Sequence, residues 1–226
     1  MSNDFFTVAI AAEQALQLFY DCKINLCATW PQGQALRFLH EILETPYSEL
    51  LRIIDHRDYS EPLETEYIPQ FADVSEIDNV VQILATCGEE SLSYPDLGYY
   101  LIRSERKHSA YAKYGENYGK GTALLGLACY DPGTIRCSVL SDAYMSITDE
   151  KIRAALRCKL FLRIPLIQEL LYRAKETQYN GYDSMRMFSL TTMRRRGQSP
   201  RKLFSELQKC GDQHINQRIQ NIFWEE

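Results

Sequence analysis

The order of hydrophobic patterns in the middle of the chain constrains its fold more than any other feature. An amphipathic helix is predicted from the N-cap Ser75 to Gly88, and a second helix begins at the N-cap Ser93. A third helix runs from about 110 to 127, and alternating residues around the turn Asp131 to Thr134 indicate a β-hairpin. Three helices followed by a hairpin predict a winged helix-turn-helix domain, which we place at residues 71–147.

The first 70 residues are predicted to form an acidic helical region. Apolar residues at three- and four-residue steps indicate helices over 4–20, 34–44 and 46–56. The segment over 60–75 contains two prolines and is predicted to be extended, which makes it the best candidate for a domain boundary.

Residues 148–226 are predicted to be basic helices that end in a second helix-turn-helix unit. Thr148 is the expected N-cap of one helix, and Pro165 begins the next. The seven basic residues of these two segments either dock beside DNA or cover a helix–helix seam with their aliphatic stems. Two further short helices are separated by a turn at Gly211, which is the spacing of a helix-turn-helix.

The charge of the chain is divided unequally between its two halves. Residues 1–100 carry 4 Lys and Arg against 17 Asp and Glu, a net charge of −13. Residues 101–226 carry 21 Lys and Arg against 13 Asp and Glu, a net charge of +8. This asymmetry indicates either a polyanionic partner for the basic half or a contact between the two halves.

Polar and basic residues on three segments are candidates for contact with DNA. On the third helix they share one face, where Asn can read adenine and Lys can reach guanine or phosphate. The segment from Ser184 to Phe204 has six basic residues and no acid, which suits phosphate binding, although a solvated basic loop has the same pattern. The last helix adds an amide and an arginine that either anchors phosphate or pairs with an acid. The complete set is Lys113, Asn117, Lys120, Arg194, Arg195, Arg196, Arg201, Lys202, Asn216 and Arg218.

Three stretches of the chain, SYPDLGYYL, AYAKYGENYGKGTALLGL and VLSDAYMSI, carry a resemblance to known domains. They resemble the winged-helix domains of bacterial restriction-modification and related defence proteins, although Ser141-Asp142-Ala143 departs from that pattern. Arg218 and Trp224 match the final helix of those proteins, so the resemblance extends over roughly residues 75–226. It implies DNA binding and brings no catalytic residue.

Two other functions compete with simple DNA binding. Pro95-Asp96 and Glu105-Arg106-Lys107 match the outline of a PD-(D/E)xK nuclease, in which Asp96 and Glu105 hold a divalent cation and Lys107 polarises water. That chemistry needs both parts on adjacent strands, whereas Pro95-Asp96 begins a helical pattern. The other alternative is a winged-helix scaffold for protein assembly.

The sequence thus predicts a mainly α protein: a winged helix-turn-helix with one small β-hairpin, plus an N-terminal helical region. We expect a non-catalytic protein that binds double-stranded DNA as a regulator or as the recognition accessory of a restriction or defence enzyme. A homodimer would suit this function, because a single helix-turn-helix unit reads few base pairs. No cofactor or metal is expected, and the seven cysteines are expected to be reduced structural thiols. Polar residues interrupt the first apolar run, so we expect neither a signal peptide nor a membrane span, and a cytoplasmic location.

Overall fold

The computed structural model describes residues 15–21, 32–71, 73–88, 90–102 and 104–225, and this part of the chain is mainly helical. The helices are α1 (15–21), α2 (Gln32–Glu44), α3 (Tyr47–Asp55), α4 (Glu76–Cys87), α5 (Tyr94–Leu101), α6 (His108–Leu124), α7 (Val139–Met145), α8 (Glu150–Phe161), α9 (Pro165–Arg173), α10 (Leu190–Arg196), α11 (Gln198–Lys209) and α12 (Gln213–Gln220). The strands are β1 (Leu92–Ser93), β2 (Ala128–Asp131), β3 (Thr134–Cys137), β4 (Tyr179–Asn180) and β5 (Ile222–Phe223). The part of the first predicted helix that precedes residue 15 lies outside the described residues. None of the described helices has the length and apolar character that a membrane crossing requires.

A small antiparallel sheet combines β1, β2 and β3 in the order β1-β3-β2. The predicted hairpin is confirmed, since β2 and β3 pair across a turn in which Gly133 has a φ of 88°. The sequence does not predict β1, whose two residues pair with Thr134 and Ile135 of β3. From α4 to β3 the chain therefore runs helix, strand, helix, helix, strand, strand.

Side chains at the helix starts confirm one predicted cap and correct two others. Ser93 caps α5 by accepting a hydrogen bond from a backbone amide of its first turn at 3.2 Å. Ser75 makes no capping hydrogen bond, and its amide and hydroxyl instead donate to the carboxylate of Asp73. Asp149, rather than the predicted Thr148, caps α8 by accepting two amide hydrogen bonds. At α8 the neighbouring carboxylate forms the cap because its full charge makes it a stronger acceptor than a hydroxyl.

Helices α5 and α6 approach so closely that a side chain at either crossing point would collide with the other helix. A Cβ atom on Gly98 would lie 2.0 Å from the carbonyl oxygen of Tyr111, and one on Gly115 would lie 2.0 Å from that of Tyr94. The sequence suggests that glycines loosen the third helix, but the structure shows that Gly115 lets α6 dock against α5. This close packing fixes the direction of α6.

Part of the segment over 60–75, the predicted domain boundary, is packed into the interior: residues 67–69 and 71 are buried, whereas residues 60–62 are exposed. It contains a 3-10 turn at Thr65–Tyr67, and the Phe71 side chain is buried. The Phe71 ring lies edge-on to Tyr118 of α6, with centroids 5.9 Å apart, and its carbonyl accepts a hydrogen bond from Ser199 of α11. Buried residues from all three predicted regions belong to the same hydrophobic cluster, so the core continues across this segment.

Basic residues of α8 turn into the molecule and meet the acidic half of the chain. Arg153 and Arg157 form ion pairs with Asp78 of α4 at 3.2 and 2.7 Å. Lys159 is buried and donates to the carbonyl oxygens of Leu43 and Thr45 at the junction of α2 and α3. These contacts favour the seam-covering interpretation of this segment over docking beside DNA.

Arg163, directly after α8, is completely buried at the centre of the fold. Its guanidinium donates to the carbonyl oxygens of Phe19 at 2.9 Å, Ala123 at 3.1 Å and Leu124 at 2.7 Å, and lies 4.9 Å from the Phe19 ring centroid. Two of these carbonyls belong to the C-terminal turn of α6, where the helix dipole favours a cation. Arg163 therefore connects α1 to the end of α6.

The predicted second pair of short helices is present as α11 and α12. Gly211 forms the turn with a φ of 74°, and Asp212 caps α12 by accepting the amide hydrogen bond of Ile215 at 3.0 Å. The basic segment before α11, predicted as a loop, is itself helical and forms α10. After α12, β5 pairs in parallel with β4, which joins the chain end to the segment after α9.

Candidate nucleic-acid interface

The polar face of α6 carries two lysines that share one carboxylate. Glu116 lies 2.9 Å from the ammonium of Lys113 and 2.8 Å from that of Lys120. Burial opposes the ionisation of Glu116, but the hydrogen bonds from the two lysines outweigh it and lower its pKa. Glu116 is therefore ionised at neutral pH, and its carboxylate offsets part of the positive charge of this helix face.

The hairpin lies against the same face of α6. The Lys120 ammonium is 5.0 Å from the ring centroid of Tyr130 on β2, within cation–π distance. Tyr130 in turn stacks on Tyr94 at the start of α5, with ring centroids 6.0 Å apart and planes inclined by 8°. Burial opposes the charged form of Lys120, but the hydrogen bonds to Glu116 and Tyr130 raise its pKa. The Lys120 ammonium is thus held between α6 and the hairpin by Glu116 and Tyr130.

Three consecutive arginines occupy the last turn of α10, where positive charge stabilises the helix dipole. Arg194 and Arg195 are exposed, and Arg195 makes no side-chain hydrogen bond or ion pair with any described residue. Arg196 is half-buried, donates to the carbonyl of Thr65 at 3.0 Å and lies 4.3 Å from the Phe188 ring centroid. Burial and the nearby charge of Arg195 lower the pKa of Arg196, yet a guanidinium stays protonated at any physiological pH.

A polar groove brings α6 and α10 together. Its volume is about 250 Å³, and Lys113, Asn117 and Lys120 line it together with Arg196. The strap over 65–70 forms its remaining wall, with Glu66 and Gln70 among the lining residues. The sequence predicts these basic residues as two separate clusters, and the fold places them around one depression.

We refer to this region as the α6–α10 surface. It consists of Lys113, Glu116, Asn117, Lys120, Arg194, Arg195 and Arg196. Asn117 is half-buried on this surface, between the two lysines in the chain. Amides of this kind can hydrogen-bond to base edges, and the flanking cations suit phosphate.

The remaining candidate arginines serve internal contacts. Arg201 donates to the hydroxyl of Tyr182 at 2.9 Å, and its guanidinium lies 5.0 Å from the Trp224 ring centroid. Arg218 makes a two-pronged ion pair with Asp55 of α3, with N–O distances of 2.6 and 2.9 Å. Of the two roles considered for Arg218, pairing with an acid is the one that the structure shows.

Lys202 and Asn216 are also placed away from the groove lining. Lys202 is exposed, and its charge acts on the carboxylate of Asp73, whose pKa is lowered chiefly by hydrogen bonds from Ser75. Asn216 is half-buried on α12, and its Oδ1 atom is buried with no hydrogen-bond partner among the described residues. Neither residue joins the α6–α10 surface.

Sequence reasoning missed Glu116 as a member of the site. Its spacing of three residues from Lys113 and four from Lys120 is a sign of ion pairing that the sequence already contains. Reasoning from the sequence also passed over Arg136, which is on β3 of the hairpin, 4.0 Å from Asp131. No local pattern singles out Arg136, because its pairing with Asp131 depends on the folding of the hairpin.

The residues of the nuclease alternative lie outside the sheet. Asp96 is in the first turn of α5, hydrogen-bonded to the capping Ser93, whereas Glu105 and Lys107 are exposed in the connection between α5 and α6. The strand placement that the nuclease chemistry requires is therefore not found for these three residues. Among the described residues, no cluster of three or more His, Cys, Asp or Glu side chains is arranged to hold a metal ion.

Comparison with known proteins adds no family assignment: no family model, curated protein or solved structure matches this chain.

Proposed function

We propose that the protein binds double-stranded DNA through the α6–α10 surface and that the chain from α4 to β3 is a winged helix-turn-helix. The element order from α4 to β3 and the strand order β1-β3-β2 support the domain assignment. In this domain α6 is the third helix, in the position of a recognition helix, and the β2–β3 hairpin is the wing.

The shared groove of α6 and α10 is the observation that carries the proposal. Elsewhere in the basic half, described cations such as Arg157, Lys159, Arg163 and Arg218 are neutralised or bound by the protein itself. On α10, Arg195 is exposed and makes no hydrogen bond or ion pair with a described residue, and the neighbouring Arg196 lines the groove. An exposed guanidinium next to a polar groove suits phosphate, which accepts hydrogen bonds from forked donors.

The proposed mechanism is occupancy of a site on DNA. The α6 helix enters the major groove, Asn117 contacts a base edge, and the arginines of α10 contact the backbone beside it. A single unit reads few base pairs, so we propose a homodimer or a complex with a partner restriction or defence enzyme. This role as regulator or recognition accessory also implies a cytoplasmic location.

Salt-dependent duplex binding tests the proposal. We expect fluorescence anisotropy to show binding of a labelled random duplex that weakens steeply between low and moderate salt, through release of counterions. The double variant Lys113→Ala/Arg195→Ala is expected to reduce affinity about tenfold and to lower the slope of log affinity against log salt by about 2. The matched control Arg37→Ala/Lys151→Ala removes two exposed cations from α2 and α8 and is expected to change binding much less.

Two results would refute the proposal. One is the absence of duplex binding by the wild-type protein at low salt, which would favour the assembly-scaffold alternative. The other is an equal loss of affinity in both double variants, because this would make the attraction a property of total charge rather than of the α6–α10 surface.

A further inference from the structure

Two cysteine thiols from separate helices lie close to the same carbonyl oxygen. Neither cysteine belongs to the α6–α10 surface. The Sγ atom of Cys158 on α8 lies 3.6 Å from the carbonyl oxygen of Glu206, and the Sγ atom of Cys210 lies 3.8 Å from the same oxygen. Because both Sγ atoms lie within 4 Å of the same oxygen, the two thiols are neighbours in the fold. Both cysteines are reduced in the structure, Cys158 buried and Cys210 exposed at the end of α11.

The surroundings of the pair distinguish the two thiols chemically. The hydrogen bond from Cys158 lowers the pKa of Cys210 to about 6; burial opposes this, while Tyr47 and the charge of Lys159 lower it further. The pKa of Cys158 is raised by the same hydrogen bond and by burial. Lys159 is held in place by its bond to the carbonyl of Thr45 at 2.6 Å. Cys210 is therefore the more acidic thiol of the pair, and Cys158 the less acidic one.

We propose that Cys210 and Cys158 form a peroxide-reactive pair that closes to a disulfide. The exposed Cys210 thiol, as its thiolate, attacks one oxygen of hydrogen peroxide, the O–O bond breaks, and the departing hydroxide takes up the proton that Cys210 had released to solvent. The product is a sulfenic acid on Cys210. The Cys158 sulfur then attacks the Cys210 sulfur, the S–O bond breaks, and the hydroxyl group leaves as water with the Cys158 proton. Overall, two thiols lose two electrons and two protons, and hydrogen peroxide is reduced to two waters.

The disulfide would fasten the turn between α11 and α12 to α8. At present α11 is attached to α8 by side-chain packing, and α12 is attached to α3 by the ion pair between Arg218 and Asp55. A covalent link between residues 158 and 210 restricts the unfolded chain, so oxidation is expected to raise the midpoint of thermal unfolding. The pair thus gives the C-terminal helices a redox-dependent attachment that is independent of DNA binding.

Stoichiometric hydrogen peroxide on the full-length reduced protein tests this assignment. We expect the intact mass to fall by two hydrogen atoms, and peptide mapping without reductant to recover a Cys158–Cys210 cross-linked peptide. The Cys158→Ser variant is expected to stop at a sulfenic acid on Cys210, detected by a dimedone adduct. Cys210→Ser is expected to slow thiol oxidation roughly tenfold, whereas the matched control Cys87→Ser leaves the rate unchanged.

A variant that keeps both thiols guards against misfolding of the serine variants. Tyr47→Phe removes a hydroxyl that hydrogen-bonds Cys210 and is expected to slow the reaction while leaving the disulfide product the same. The proposal is overturned if wild-type Cys210 reacts no faster than Cys87. It is equally overturned if the oxidised protein contains Cys210 in a bond to any cysteine other than Cys158.

Discussion

The basic side chains of the C-terminal half form two groups, one that contacts the acidic N-terminal half and one that lies on the α6–α10 surface. The inward group turns toward the acidic N-terminal half and consists of Arg153, Arg157, Lys159, Arg163 and Arg218. The outward group lies on α6 and α10 and consists of Lys113, Lys120, Arg194, Arg195 and Arg196, of which Lys113, Lys120 and Arg196 line the groove. Both explanations of the charge asymmetry are therefore represented in the structure: a contact between the two halves and an exposed basic surface.

The two predicted helix-turn-helix units show the same contrast. On α6, Lys113 and Lys120 remain on a polar face because the acid they meet, Glu116, lies on the same helix. On α12, Arg218 meets Asp55 from α3 and is nine-tenths withdrawn from solvent, with a side-chain exposure of 11%. A basic residue on a short helix is therefore available to DNA only if no acidic residue from elsewhere in the chain forms an ion pair with it.

Loss of the Arg163 guanidinium is expected to have the largest effect on this comparison. Arg163→Met keeps an unbranched apolar side chain but leaves three buried carbonyl oxygens without their donor. We expect the free energy of unfolding to fall by about 3–5 kcal/mol. Urea denaturation followed by circular dichroism measures this, with the exposed Arg195→Met as the matched control at below about 0.5 kcal/mol. Equal effects of the two substitutions would erase the distinction between the inward and outward groups.

The ion pair between Asp55 and Arg218 is expected to make stability depend on pH. Burial opposes ionisation of Asp55, but hydrogen bonds from Arg218 and Lys175 outweigh it and hold its pKa below the ordinary value. A lowered folded-state pKa contributes stability above the unfolded value of about 3.9, and this contribution is lost as the pH falls through the folded pKa. Asp55→Asn is expected to lose about 2–3 kcal/mol at pH 7 and to approach the wild type near pH 2.

Unfolding curves between pH 7 and pH 2 measure this difference. The sign is specific, because the variant must converge with the wild type in acid rather than at neutral pH. The exposed Asp58→Asn, in the connection after α3, serves as a control of the same chemistry. If Asp55→Asn and the wild type differ by a constant amount across this range, Arg218 is not held by an ionised Asp55 and returns to the set of available cations.

Replacement of Asn117 tests whether the outward surface reads bases. Asn117→Ala removes an amide from between two lysines without changing the charge of α6. If this amide contacts a base edge, the preference for a selected site over random duplex is expected to fall by about 1–2 kcal/mol, while the salt dependence stays the same. Competition binding with selected and random duplexes measures both quantities. Asn216→Ala on α12 is the paired control, and a larger loss of preference there would move the reading helix to the second unit.

Neutralisation of Glu116 is expected to have the smallest effect and to sharpen the comparison. Glu116→Gln releases Lys113 and Lys120 from their shared carboxylate and removes a negative charge that faces the groove. Duplex affinity at low salt is expected to rise about threefold, with a change in unfolding free energy below about 0.5 kcal/mol. Anisotropy titration checks this, and Glu150→Gln on α8 controls for the change in net charge. Weaker binding of Glu116→Gln would mean that Glu116 orients the lysines rather than competing for them.

Local chemistry explains why much of the fold was predictable. The hairpin follows from the turn residues ending in Gly133, the cap of α5 from Ser93, and the buried face of α4 from Ile77, Val80, Val81 and Leu84. The errors occur where two adjacent residues compete for one role, as with Thr148 and Asp149 at the start of α8. The strand β1 was missed because its two residues become a strand only through their pairing with β3.

The sequence by itself determined most of the helices, though not α7 or α10, and also the hairpin, the charge division and the residues that could meet a polyphosphate, since each depends on neighbours within a few positions of the chain. Only the tertiary structure decided which of those cations are available. Arg218 forms an ion pair with an aspartate 163 residues away, whereas α6 and α10, which are separated in the chain, come together at one groove. The physical reason is that a charge is neutralised by whatever lies within a few ångströms, and long-range packing sets that distance.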